Sequence, residues 1–414
     1  MSRRTKAGGA KKRPTRYARD AATSDTLAAA LRAHRHGAFG TALREYERAI
    51  ESDPDSLDAW MNAAAVNVIL GRARAAVRGF ERAITLAARD ARVHRDAGIG
   101  LVAIGAWREA RSRLEHAIEL DPSLAGARLA LIRLCLDAGD RATALSHARE
   151  AVARAPGDPS AHLELHRVLF DDRDLAPSID AARRALELDP ADAIAHFFLA
   201  GALAWRGDRD YEHQLPSGLL DALDFVAANR TPLTRTFATK RDTLLHALSL
   251  APAEGAVLEF GVRHGISTQL LAEHVSNDLH AFDSFEGLPE SWQSRDPGLF
   301  STAGEVPDLP RHVVVHRGWF DDTLPPFVRA LRSPIRCVHV DSDLYSSART
   351  VLTELGPHLR PGCVIAFDEY IGNERWRDDE HRAFTEAAAH FAWDYEFVAF
   401  SWITGQAVVR LRAR

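Results

Sequence analysis

From about residue 23 to residue 212 the apolar positions recur every three to four residues. From Gly255 onward they condense into short unbroken runs. The first pattern predicts amphipathic helices, as in EYERAIESDPDS, Glu45 to Ser56, where a helical face runs into Asp-Pro. The second predicts strands at AVLEF, LHAF, VVVHR, CVHV and CVIAF, most of them separated by segments long enough for crossover helices. Such spacing argues for a parallel sheet covered on both faces. The final stretch, DYEFVAFSWITGQAVVRLR, reads as two strands around Thr404-Gly405, a hairpin that adds an antiparallel strand. Between the two regimes, LPSGLLDALDFVAANR and TPLTRTFATKRDTLLHALSL are predicted helices.

The helical half repeats itself. Gly37, Gly71, Gly105, Gly139 and Gly207 lie on one 34-residue lattice, with Arg173 at the vacant node. Five residues after the nodes stand Ala42, Ala76, Ala110, Ala144 and Ser178. Twelve after them stand Ala49, Ala83, Ala117, Ala151 and Ala185. Each unit must stop one helix, which glycine permits in the left-handed conformation. It must bring two helices close, which small residues allow, and end the second, which Asp-Pro enforces. This lattice resembles the tetratricopeptide repeat: five full units and a closing helix, Ala193 to Arg206. The resemblance implies an all-α solenoid over residues 23–212, with a concave surface for a peptide, a protein partner or a second copy of the chain. Residues 213–230 read as a connecting helix and 231–414 as the α/β domain.

Composition adds three constraints. With 414 residues and 46% hydrophobic content, the chain can fill more than one core. Cys135, Cys337 and Cys363 have no metal-binding or disulfide spacing, and no run approaches the roughly 18 apolar residues of a membrane span, so a soluble cytoplasmic protein is expected. Residues 1–22 hold eight Lys or Arg against Asp20. They read as a disordered basic tail, and no aromatic-interleaved basic patch follows to indicate nucleic-acid binding.

In a doubly wound sheet, ligands bind beyond the carboxyl ends of the strands. LEFGVRHGIS, Leu258 to Ser267, offers Gly261 and Gly265 for close backbone approach, but Arg263 and His264 break the dinucleotide fingerprint that a nicotinamide dehydrogenase would carry. LHAFDSFEGLP places Asp283 24 positions after Glu259, where an acid can receive a ribose diol or cap a helix. HRGWFDDTLP brings Trp319, Asp321 and Asp322: a ring to stack an adenine and a carboxylate to receive its amino group, or a core Trp and a turn Asp. HVDSDLYSS and VIAFDEY bring Asp341, Asp368 and Glu369 to neighbouring strand ends, where like charges repel unless a cation intervenes. Hard oxygen donors point to Mg²⁺ rather than Zn²⁺. Asp343 reads as the cap of the helix LYSSARTVLTEL, and His339 as a satisfied strand residue. The patternless segment from Glu286 to Arg311 is long enough for a lid.

These four motifs, in this order, resemble the class I S-adenosylmethionine-dependent O-methyltransferases, specifically the macrocin O-methyltransferase group acting on sugar hydroxyls. The resemblance covers Thr231 to the C-terminus and implies a Rossmann-like fold. It further implies cofactor contacts by Glu259, Gly261, Ser267 and Asp283, and metal ligation by Asp341, Asp368 and Glu369. Glu369 stands where Asp or Asn is usual, and Leu344 where catechol-type relatives carry a lysine. The expected activity is metal-assisted methylation of a small-molecule or glycan hydroxyl, with Asp341 or a histidine brought in by a loop as proton acceptor and the repeats recruiting a partner or substrate. The alternative is an interaction scaffold whose transferase domain binds cofactor without reacting.

Overall fold

The computed structural model describes residues 16–209, 211, 215–276, 278–292 and 295–413, with side chains from residue 25 onward. Antiparallel helix pairs build the first half: Arg16–Arg35 with Phe39–Ser52, Leu57–Ile69 with Ala73–Leu86, Ala91–Ala103 with Trp107–Leu120, Ala125–Asp137 with Arg141–Arg154, and Pro159–Leu169 with Ala176–Leu188. Ala193–Arg206 closes the stack, and Ser217–Asn229 leads out of it. The first helix begins at Arg16, inside the segment expected as a tail. Residues 1–15 of that tail lie outside the described residues.

The lattice glycines all adopt the left-handed conformation that stops each first helix, with φ between 68° and 86°. At the vacant node the turn is made differently: Asp171 Oδ1 accepts a hydrogen bond from Arg173 N at 3.0 Å. The crossing residues Ala49, Ala83, Ala117 and Ser178 are fully buried, as close helix approach requires.

His166, on the helix Pro159–Leu169, is fully buried against Phe198, with rings 5.8 Å apart. Its Nδ1 donates to Ser178 O at 2.9 Å and its Nε2 has no partner among the described residues. Burial pushes its pKa down to about 4. The unfolded chain, titrating near the ordinary ~6.5, therefore takes up a proton that the folded chain refuses. Stability from this site is complete above pH ~6.5 and declines as pH falls toward about 4, by up to roughly 3 kcal/mol. Thermal unfolding of His166→Asn across that range should show a shallower decline than the parent chain. Equal slopes would remove His166 from the explanation.

The second half forms one mixed sheet from β1 (Arg235–Thr236), β2 (Ala256–Phe260), β3 (Leu279–Asp283), β4 (Val313–Arg317), β5 (Ile335–Val340), β6 (Val364–Phe367), β7 (Asp394–Ser401) and β8 (Gln406–Arg412). Their order is β1-β7-β8-β6-β5-β2-β3-β4, with β8 antiparallel to β6 and β7 and all other pairs parallel. The chain order reverses direction at β2, between β3 and β5, so the crevice of the fold opens at the carboxyl ends of these strands. The sequence pattern anticipates every strand but β1, which is two residues long.

The solenoid lies with its helix turns against this carboxyl rim. A methyl group at Gly71 would fall 1.8 Å from Ser301 O, one at Gly105 3.0 Å from the Ile266 side chain, and one at Gly139 2.7 Å from Arg241 Nε. The same addition at Gly37 or Gly207 would meet nothing within 4 Å, so the middle repeats make this contact. Farther along, Asp172 receives Arg235 through two bonds of 2.5 and 2.7 Å. One apolar core runs from Phe170, Phe197 and Leu203 of the solenoid to Phe400, Trp402 and Tyr370 of the sheet domain.

Candidate active site

A cavity of about 620 Å³ opens at the carboxyl rim, within the size of small-molecule sites. Gly261 follows β2 at φ 98°, and a side chain there would strike Asp341 O, 1.8 Å from its first carbon. Only glycine lets the strand-end loop lie this close to β5. Asp283 at the end of β3 braces the same loop. Its Oδ2 accepts from Val262 N (2.7 Å) and Arg263 N (2.8 Å), and its Oδ1 from Phe285 N (2.6 Å). Those three bonds leave one of its roughly four lone-pair positions for a ligand. Its carboxylate therefore caps no helix.

Asp341, Asp368 and Glu369 all line the cavity, at the ends of β5 and β6. One ligand atom each from His339, Asp341 and Asp368 lies within 4.8 Å of the others. Asp368 is the most engaged: Lys240 Nζ forms an ion pair with its Oδ2, and Gln406 Nε2 donates to its Oδ1 at 2.8 Å. Burial works against its ionisation, but Lys240 and His339 outweigh that and hold its carboxyl below the usual range. Burial, then the charge of Asp368, pushes Asp341 up. Glu369, 4.0 Å from Lys240 Nζ, rises to about 7 by burial and then by Asp368.

Asp343 departs from its expected role. The helix begins at Tyr345, its cap is Leu344, and no side chain caps it. The left-handed backbone at Asp343, φ 59°, turns the residue into the cavity lining instead, and burial with Asp341 and Glu369 nearby raises its pKa.

Glu259 is fully buried and lies outside the cavity lining; its Oε1 lies 3.0 Å from His339 Nδ1, the residue paired with it in the β2–β5 register. His339 is thus held between Glu259 and Asp368, with Nε2 3.9 Å from Asp368 Oδ1. Burial lowers its pKa, but the two carboxylates prevail and lift it to about 10. Gly265 caps the helix Ile266–His274 and packs against Pro307 and Leu309, and Ser267 in its first turn is half-buried; neither lines the cavity. Trp319 does, 38% exposed, with Asp321 beside it rather than Asp322.

Sequence reasoning missed Lys240 and Arg263. Lys240 opens the helix Lys240–Leu250 and reaches the acids from outside the strand-end series. Arg263 follows Gly261 in a left-handed turn, φ 50°, with its guanidinium 4.9 Å over Phe300. The basic residue within LEFGVRHGIS was the available signal.

The family described as a methyltransferase domain matches residues 258–370, and the tetratricopeptide repeat family matches residues 125–168. No curated protein matches the chain. Among solved structures, Pseudomonas aeruginosa PilF is 22% identical, over 51% of this chain and 93% of its own, at a TM-score of 0.42. The type IV pilus biogenesis factor PilW is 21% identical over 47% and 91%, at 0.41. MamA from Desulfovibrio magneticus RS-1 is 18% identical over 41% and 97%, at 0.37. No helix among the described residues is long and apolar enough to cross a membrane. The chain therefore carries tetratricopeptide repeats followed by a methyltransferase domain, and such a domain implies use of S-adenosylmethionine.

Proposed function

We propose that the α/β domain methylates a hydroxyl group, of a sugar or a glycosylated natural product, and that the repeats recruit the partner or substrate bearing it. The carrying observation is the acid-lined rim: Asp341, Asp368 and Glu369 border one cavity at the switch point of the sheet. When bound, S-adenosylmethionine supplies an electrophilic methyl group. The residues fit it: Gly261 and Asp283 border the β2–β3 side of the cavity, Trp319 offers an open ring face, and the acids favour a sulfonium over a neutral ligand.

The rim also fits a divalent ion. Asp341, Asp343 and Glu369 stay raised by burial and mutual repulsion even with Lys240 beside them, so the site is short of positive charge. Asp341, Asp368 and Glu369 would hold the ion. When bound, it lowers the pKa of a hydroxyl at the site. Asp341 accepts the hydroxyl proton, while Lys240 keeps Asp368 ionised and Asp283 fixes the glycine loop that sets the cavity wall.

One observation favours the scaffold reading, in which cofactor binds without reaction: Lys240 already supplies Asp368 with a counter-ion. Calorimetric titration with S-adenosylmethionine and with NAD, followed by methyl-transfer assays with and without chelator, separates the alternatives. Binding of S-adenosylmethionine alone and transfer suppressed by chelation are expected. Binding without transfer to any hydroxyl acceptor would favour the scaffold, and failure to bind S-adenosylmethionine would overturn both readings.

A further inference from the structure

A second cavity, of about 390 Å³, lies between the solenoid and the methyltransferase domain. Its apolar lining comes from Val77 and Ile104 on the solenoid side and Val306 and Pro307 on the other. Arg263 lines this cleft and the first cavity alike, so the two share a wall. The cleft and the first cavity are therefore neighbours, with the Arg263 side chain between them.

Charge distinguishes the arginines here. Arg74 is spoken for: its guanidinium lies 3.8 Å from Asp308 Oδ1, and its backbone N donates to Glu305 Oε2 at 3.3 Å. Arg78, one helical turn on, is exposed, and its guanidinium has neither hydrogen bond nor ion pair among the described residues. Arg263 rests on the Phe300 ring without a carboxylate in ion-pair distance among the described residues. Two guanidiniums thus flank an apolar floor, Arg78 without a partner among the described residues and Arg263 held by the Phe300 ring and the more distant charges of Asp341, Asp343 and Asp283. Each presents donors in a fork that matches a carboxylate or phosphate.

We propose that this cleft is the acceptor subsite, and that it selects a hydroxyl compound with an apolar body and an anionic group held by Arg78 and Arg263. The inference rests on the first cavity being the methyl-transfer site. It gives the solenoid a direct part in substrate choice, because Arg78 belongs to the second repeat, whose turn also buries Gly71 against Ser301. An occupant that merely filled apolar space would gain nothing from the Arg78 guanidinium at its edge.

The test uses the full chain and two matched pairs of probes: glucuronate against glucose, and protocatechuate against catechol. Binding is measured by calorimetry with and without saturating S-adenosylhomocysteine. In at least one pair the acid should bind about tenfold more tightly than its neutral counterpart, the order expected of a charge-assisted contact. Arg78→Ala should remove that preference, Arg78→Lys should retain part of it, and Arg78→Glu should turn it toward glucosamine. A preference absent from both pairs, or one that survives Arg78→Glu, overturns the proposal. If S-adenosylhomocysteine fails to bind, the transfer reading falls separately, and the titrations without it still decide whether the cleft selects anions.

Discussion

Asp341→Asn should lower kcat/KM for methyl transfer by about a hundred- to ten-thousand-fold, the range associated with a positioned proton acceptor. The substitution keeps the shape of the side chain and removes only its charge. The backbone around it is over-determined: Asp341 N donates to Phe260 O at 2.8 Å, and Gly261 packs on Asp341 O. Strand β5 should therefore stay in register. Stability should hold or rise, since the change takes one acid out of a cluster whose members raise one another's pKa. Activity lost through misfolding would lower the thermal midpoint, whereas activity lost through chemistry would not. Steady-state kinetics beside a melting curve make the distinction, and an Asn variant within threefold of the parent rate would end Asp341's role as base. Binding of S-adenosylmethionine should change only a few-fold, because the glycine loop is held by Asp283 and not by Asp341.

What the sequence made legible depended on whether a residue's task could be stated locally. The 34-residue lattice was readable because each node must adopt a left-handed turn, and all five glycines do. The strand ends were readable because short apolar runs stop at acids, and the acids at positions 341, 368 and 369 border one cavity, although the ligand atoms that converge within 4.8 Å come from His339, Asp341 and Asp368. The setting of Glu259 was not legible because its partner lies 80 residues away: only the β2–β5 register sets it against His339, where both are buried. That pairing was open to inference, since both polar residues stand one place before the last residue of neighbouring parallel strands. Lys240 was hidden for a similar reason. It arrives from a helix preceding β2, and no local pattern says that this helix starts beside Asp368. The lattice also concealed a second task, because a glycine needed for a turn leaves no separate signal when, as at Gly71, it also admits the backbone of Ser301.

A fragment of residues 231–414 should fail to stay folded, and the full chain should unfold in a single calorimetric transition. The boundary drawn from the sequence at residue 231 separates two patterns, and each side has apolar clusters of its own, but the largest core runs across it. Trp402, at the β7–β8 turn, is 2% exposed, and much of its cover comes from the solenoid: Phe170 and Trp205 lie 5.4 and 5.7 Å from its ring. Gly201 sits so close that a methyl group there would fall 2.3 Å from Trp402 Cδ1. On the other flank Phe225 packs against Trp376 at 4.8 Å and Phe397 at 5.4 Å, while Asp221 receives Arg377 through bonds of 2.6 and 2.9 Å. Cutting at residue 231 exposes these aromatics together. Loss of a single buried Trp or Phe typically costs about 3–5 kcal/mol, against a total stability of about 5–15 kcal/mol for a domain. Trp402→Ala in the full chain should therefore lower the one transition as a whole, because its ring braces both halves. Two well-separated transitions, or a soluble 231–414 fragment melting close to the parent chain, would mean that the halves are stable alone. The solenoid would then be a detachable adaptor, and its turns would no longer be required to hold the carboxyl rim in place.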